Sequence, residues 1–269
     1  MIQLRGLTKR YGATDVLRGV DMQAGAGEFL VILGQSGAGK STLLRCMNRL
    51  VQADAGEMTV AGIDAMADRD TRTLRRQVAM IFQHHDVVPR LSVLRNVLTG
   101  RLGAVPVLTS VLQLFSRADV ALAQECLARV DLAHKAQART DSLSGGQRQR
   151  VGIARALAQR PRVILADEPV ASLDPKTARL VMRYLHSATR ELGITVVCNL
   201  HQVDYAREFA DRIVGLAHGR VVYDGLPGAM QEADLARIYP GAEPASSATE
   251  TGGGTQFQTE TLQAAHKGV

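Results

Sequence analysis

A chain of 269 residues that is 46% hydrophobic and 22% charged has ordinary globular composition, enough for one large domain or one domain with a subdomain. Its net charge of +6 suits an anionic ligand or an anionic membrane face, but 4% aromatic residues and no Trp leave little for stacking bases, so nucleic acid is not expected as a partner. No apolar run approaches the ~18 residues of a spanning helix. The start, MIQLRGLTKRYG, lacks a signal peptide's apolar core, and Cys46, Cys126 and Cys198 form no CxxC, which argues against a disulfide framework or zinc site and for a reducing cytoplasm.

Residues 1–33 read as three strands, MIQLRGLTKRY, DVLRGVDMQA and EFLVIL, with Asp15 and the run Gly25 to Gly27 marking the turns. Tyr11 ends the first. A ring there can stack on a flat base, although spacing alone favours an ordinary edge-strand tyrosine. The third strand runs straight into GQSGAGKST, from Gly34 to Thr42, and then into a helix, KSTLLRCMNRL. The pattern G-x-x-x-x-G-K-S-T between a strand and a helix is a phosphate loop. Its glycines let backbone N–H groups surround phosphates. Lys40 brings a point charge toward the β- and γ-phosphates, Ser41 offers a hydroxyl to Mg²⁺, and Thr42 extends the helix start.

Residues 55–82 read as short strands and a basic helix around RTLRRQ, ending in the strand VAMIF. Gln83 follows, a neutral amide that can reach a metal-bound water or simply sit in a surface loop. From His84 to about Arg160 the pattern is mainly helical, with helical spacing in DVALAQECLARVDLA. His84, His85 and Asp86 are adjacent, so their side chains diverge and make a poor metal site.

At LSGGQRQR, Ser144 is expected to cap a helix, Gly145 and Gly146 to clear space for close approach, and Gln147 to lie on the first turn. Val151, Ala154 and Leu157 form the apolar stripe that fixes this helix. Such a start can face an anion. It has no lysine of its own within LSGGQ, so it reads as half of a site; a plain capped helix is the simpler reading when it is taken alone.

VILADEP and TVVCNLH are apolar runs ending in polar residues, as expected of parallel strands buried on both faces. The first delivers Asp167, suited to holding Mg²⁺, and Glu168, suited to polarising an attacking water. Two adjacent carboxylates near phosphates raise each other's basicity. The second delivers His201, which can donate to a γ-phosphate, although a lone histidine is more often structural. RIVGL and GRVVYDG close as a hairpin. Residues 229–241 read as a helix or linker. Residues 242–269 are small, polar and Gly/Ser/Thr-rich, and are expected to be disordered.

Together these residues resemble the ATP-binding cassette (ABC) ATPases. GQSGAGKST is similar to their Walker A loop, VILADE to their Walker B strand and LSGGQ to their signature sequence. Gln83 stands at the Q-loop, SLD (Ser172 to Asp174) at the D-loop, His201 at the switch histidine and Tyr11 at the adenine-stacking aromatic. The resemblance implies an α/β fold of the P-loop NTPase type, with a mixed-sheet core, an N-terminal antiparallel β subdomain and a helical subdomain inserted at about 84–160, all within residues 1–228.

It further implies MgATP held by Tyr11, Gly34, Ser36, Gly37, Gly39, Lys40, Ser41 and Thr42, with Ser41, Gln83 and Asp167 around the metal. Glu168, His201 and Gln83 would be catalytic. Ser144, Gly145, Gly146, Gln147 and Asp174 would reach the nucleotide across a head-to-tail dimer with a second copy. LADEPVASLDP, NLHQVDYAREFADRIVGL and NVLTGRLG look like the phosphonate-importer branch. That branch implies transmembrane permease subunits, a periplasmic or surface substrate-binding protein reached through them, and a peripheral place on the cytoplasmic face of the inner membrane. The rival is a cytoplasmic, non-transport ABC ATPase driving a soluble complex. Many such chains carry paired cassettes or long insertions, and neither is present.

Overall fold

Alternation of apolar and polar residues builds the first layer of the computed structural model, which describes residues 1–67, 71–83, 87–105 and 114–241. Strands β1 (Ile2–Tyr11) and β2 (Thr14–Ala24) turn Leu4, Leu7, Leu17 and Val20 inward and their polar residues out. They pair antiparallel, from Ile2 opposite Ala24 to Tyr11 opposite Thr14. The reversal therefore falls on Gly12 and Ala13. Asp15, expected at the turn, lies inside β2, where it faces Arg10 and accepts a hydrogen bond from its guanidinium. Strands β4 (Ala55–Val60) and β5 (Ile63–Asp64) complete a four-stranded sheet ordered β2-β1-β4-β5.

The uninterrupted apolar runs form the second sheet. Strands β3 (Phe29–Leu33), β6 (Val78–Ile81), β7 (Val163–Asp167) and β8 (Thr195–Leu200) are buried along their whole length, and β9 (Arg212–Ala217) nearly so. With β10 (Arg220–Gly225) they make a six-stranded sheet ordered β10-β9-β3-β8-β7-β6, parallel except for the β9–β10 hairpin. Strands without a polar face need cover on both sides. Here Leu30, Ile32, Leu165 and Val197 face one core, with helix α1 (Lys40–Met47), while Val31, Leu33, Ile164 and Val196 face the other.

That second core takes in helices α3 (Val93–Leu98), α4 (Arg117–Arg129), α5 (Gly145–Ala158) and α6 (Pro175–Leu192). The shorter helices are α2 (Thr71–Gln77), α7 (Val203–Phe209) and α8 (Glu232–Ile238). Because the central strands run in parallel, Gly34, Gln83, Glu168 and His201 all leave the sheet on one edge. No helix among the described residues is long and apolar enough to cross a membrane. His84, His85, Asp86 and the segment 242–269 lie outside the described residues.

Candidate nucleotide site

The glycine loop starts where β3 ends. Gly39 closes it at φ 104°, a left-handed conformation that side chains resist, and begins α1. No side chain caps this helix and no acid sits in its first turn, so its leading N–H groups remain directed into the loop. Ser36 and Gly37 are exposed at the tip, and Ser41 and Thr42 are half-buried. Lys40 is only 4% exposed. Its ammonium donates to the carbonyls of Gly34 at 2.7 Å and Gln35 at 3.0 Å, which draws the loop into a ring. Burial lowers its pKa, and the charges of Glu168 and Asp167 act against that shift.

Asp167 ends β7, also almost wholly buried. One carboxylate oxygen accepts from the Ser41 hydroxyl at 2.8 Å and from the Asn199 amide at 3.0 Å; the other lies 3.9 Å from the Arg45 guanidinium. Asn199 stands opposite Asp167 in the β7–β8 ladder. Its Oδ1 is buried and has no hydrogen-bond partner. Sequence reasoning missed this residue, although an asparagine inside an otherwise apolar strand is a visible signal.

Glu168 takes φ 50°, a left-handed conformation costing on the order of 1–3 kcal/mol in a residue with a side chain. That turn swings its carboxylate off the strand line to His201, whose Nε2 lies 2.6 Å from Oε1. The chain thus pairs the two residues expected to act on water and on the γ-phosphate. Tyr11 is 48% exposed, with the Lys9 ammonium 5.3 Å from its ring centre. Gln83 is exposed just past β6.

The second anion-facing helix start is held differently. Ser144 caps α5: its hydroxyl accepts from the Gln147 N–H at 3.3 Å, while Gln147 Oε1 accepts from the Ser144 N–H at 3.1 Å. The same Oε1 accepts from the Lys135 ammonium at 3.3 Å. Lys135 supplies the cation that LSGGQ lacks, and only tertiary structure reveals it. Gly145 is half-buried at the first helical position. Gly146, expected to clear space for close approach, is also closely approached by its own chain: a Cβ there would meet Cγ2 of Thr177, in the first turn of α6, at 2.4 Å. Asp174 caps α6 by accepting from the Thr177 N–H at 3.0 Å, which holds its carboxyl below the ordinary range.

The structure therefore gathers Lys40, the Ser41–Asp167 pair and the Glu168–His201 pair on one sheet edge. Ser144, Gly146, Gln147 and Asp174 form a second group, tied together by Lys135 and Thr177. Residues 17–171 match the family model described as ABC transporter, and the chain belongs to that family as an ATP-binding cassette.

Among its relatives, the phosphonates import ATP-binding protein PhnC of Thiobacillus denitrificans is 52% identical over 239 residues, covering 88% of this chain and 92% of that one. The phosphite import ATP-binding protein PxtA of Stutzerimonas stutzeri is 52% identical over 242 residues, covering 89% and 88%. A solved dimeric ATP-binding cassette in a post-hydrolysis state, bound to ADP and Pi, superposes with a TM-score of 0.72 at 34% identity, covering 84% of this chain and 99% of that one.

Proposed function

We propose that this chain is the ATP-hydrolysing subunit of an importer for a phosphonate or a related phosphorus oxyanion. It works as a head-to-tail pair against transmembrane permease subunits, on the cytoplasmic face of the inner membrane. A substrate-binding protein reaches it only through the permease. One observation carries the reading: two separately held anion-facing helix starts sit in one chain, and only one of them has the buried lysine and carboxylates. The other is left to serve a second nucleotide, so a two-fold pair makes each contact twice. The phosphorus cargo rests on the phosphonate and phosphite relatives at about half identity.

In this reading Lys40 exchanges its two loop carbonyls for phosphate oxygens, and the N–H groups of the loop and of α1 take the rest. Tyr11 stacks on the adenine, worth roughly 1–3 kcal/mol. The residues present also fit Mg²⁺, which takes few protein oxygens and leans on phosphates: the Ser41 hydroxyl, the Asp167 carboxylate and the unpartnered Asn199 Oδ1 are all oxygens of this kind, with Gln83 nearby on the same edge. Bound there, the ion would neutralise charge on the β- and γ-phosphates. Glu168 orients the attacking water and takes its proton, and His201 turns from Glu168 to the γ-phosphate. Ser144, Gly145, Gly146, Gln147 and Asp174 meet that nucleotide from the other copy.

For the membrane partner we assign the groove of about 980 Å³ between α2, residues Thr99 to Ala104 and the end of α5, whose lining includes Arg75, Arg76 and Arg160. Its charge calls for an acidic permease segment.

Glu168→Gln should keep ATP binding and lose turnover by ~10²–10⁴-fold; unchanged turnover rejects the role. A mixture of Lys40→Ala and Ser144→Arg chains should form pairs with at most one intact site, whereas a mixture that stays fully inactive would mean that the sites are not shared or that both must be intact. For the cargo, a deletion strain should fail to grow on a phosphonate as sole phosphorus source. Normal growth, or recovery of a soluble enzyme in place of a permease from membranes, favours a non-transport role.

A further inference from the structure

The last described residues fold back onto the catalytic edge. Ile238, at the end of α8, is wholly buried against Gly215 of β9, which pairs with Leu33 at the end of β3. That seat carries Tyr239 and Pro240 over the start of the glycine loop. The Tyr239 hydroxyl donates to the backbone carbonyl of His201 at 3.1 Å. Beside it, the Gln35 side-chain amide donates to the Pro240 carbonyl at 2.8 Å. Burial pushes the phenol up to about 12, so it stays neutral at any working pH.

The placement has a mechanical meaning. Strands β3 and β8 are neighbours, and their ladder ends with Leu33 opposite Leu200. Gly34 and His201 are the next residues on each strand, where the chains diverge and no ladder bond joins them. Ends of this kind open most readily. Tyr239 and Pro240, arriving together from elsewhere in the chain, bridge that gap, one to His201 and the other to Gln35.

We propose that Tyr239 is a positioning residue for ATP hydrolysis: by holding the His201 carbonyl while the adjacent Pro240 holds Gln35 of the glycine loop, it sets the distance between the phosphate loop and the histidine that contacts the γ-phosphate. The inference rests on the role given to His201 above. In this role Tyr239 acts through the two loops it joins.

Tyr239→Phe keeps the ring and removes the hydroxyl. Losing one such hydrogen bond should lower kcat by about three- to tenfold, with KM for ATP unchanged. A purely structural role would shift the melting temperature and leave kcat alone. The decisive comparison is a double-mutant cycle with His201→Ala. If Tyr239 acts through His201, Tyr239→Phe costs nothing further in the His201→Ala background. Wild-type kcat in Tyr239→Phe overturns the proposal, and so do losses that multiply in the double variant. Full turnover in His201→Ala alone refutes the role of the histidine itself, an outcome distinct from a silent Tyr239→Phe.

Discussion

Adding a methyl group at Gly146 tests how the two helix starts are joined. The new Cβ would lie 2.4 Å from Thr177 Cγ2. Carbon atoms settle at about 3.5–4.0 Å, so roughly an ångström or more must be found between α5 and α6. Neither side yields easily. Thr177 is β-branched and stiff at χ1, and its own N–H is engaged by Asp174. Gly146 lies inside the turn closed by Ser144 and Gln147. Overpacking of this kind costs typically ~1–3 kcal/mol. For a chain of this size each kcal/mol moves Tm by about 2–4 °C, so Gly146→Ala should melt roughly 2–12 °C below wild type. Thermal unfolding by circular dichroism measures it. Thr177→Ser removes the offending methyl, and the double variant should recover most of the loss. A Tm within a degree of wild type for Gly146→Ala, or no recovery with Thr177→Ser, refutes the argument that this contact keeps position 146 bare.

Lys40→Ala should abolish tight ATP binding, since it removes the buried charge and its hydrogen bonds to the Gly34 and Gln35 carbonyls; a nucleotide titration with retained affinity would count against the loop assignment. Asp119→Asn should flatten the acid limb of stability. Hydrogen bonds from Arg101 and Ser116 hold the Asp119 carboxyl below its ordinary value of 3.8, so the stability it confers is fully present above that pH and is lost as pH falls through the lower folded value. Melting curves from pH 5 downward that coincide for wild type and variant, once offset at neutral pH, would refute this.

The carboxyl edge was legible because strands buried on both faces announce themselves as apolar runs with a polar residue at the end. Asp167, Glu168 and His201 each stood at such a junction, and Lys40 in the glycine loop that follows another. Other partners were hidden because nothing local marks them. Lys135 reaches Gln147 only after the turn at Ala133–Lys135 packs against α5, and Thr177 fills the space beside Gly146 only after α5 and α6 pack. The tie from Tyr239 to His201 depends on where α8 seats, and a short stretch with little periodicity gives no hint of that. Asp15 misled for a simpler reason: aspartate is common in turns, but here it serves as the cross-strand partner of Arg10, and the smaller Gly12 makes the bend. Asn199 could have been noticed, because an amide inside a fully buried strand needs a reason to be there.

The seam between Gly146 and Thr177 has a consequence for timing. Helix α6 begins a short way beyond the bend that carries Glu168, and it abuts the leading turn of α5 without slack. In the proposed pair, whatever tugs on that bend when a phosphate departs would be felt at the corner the chain lends to its mate. Neither pocket would then keep its own clock: each firing would jog the opposite chamber, and the two would run in step or in strict turn.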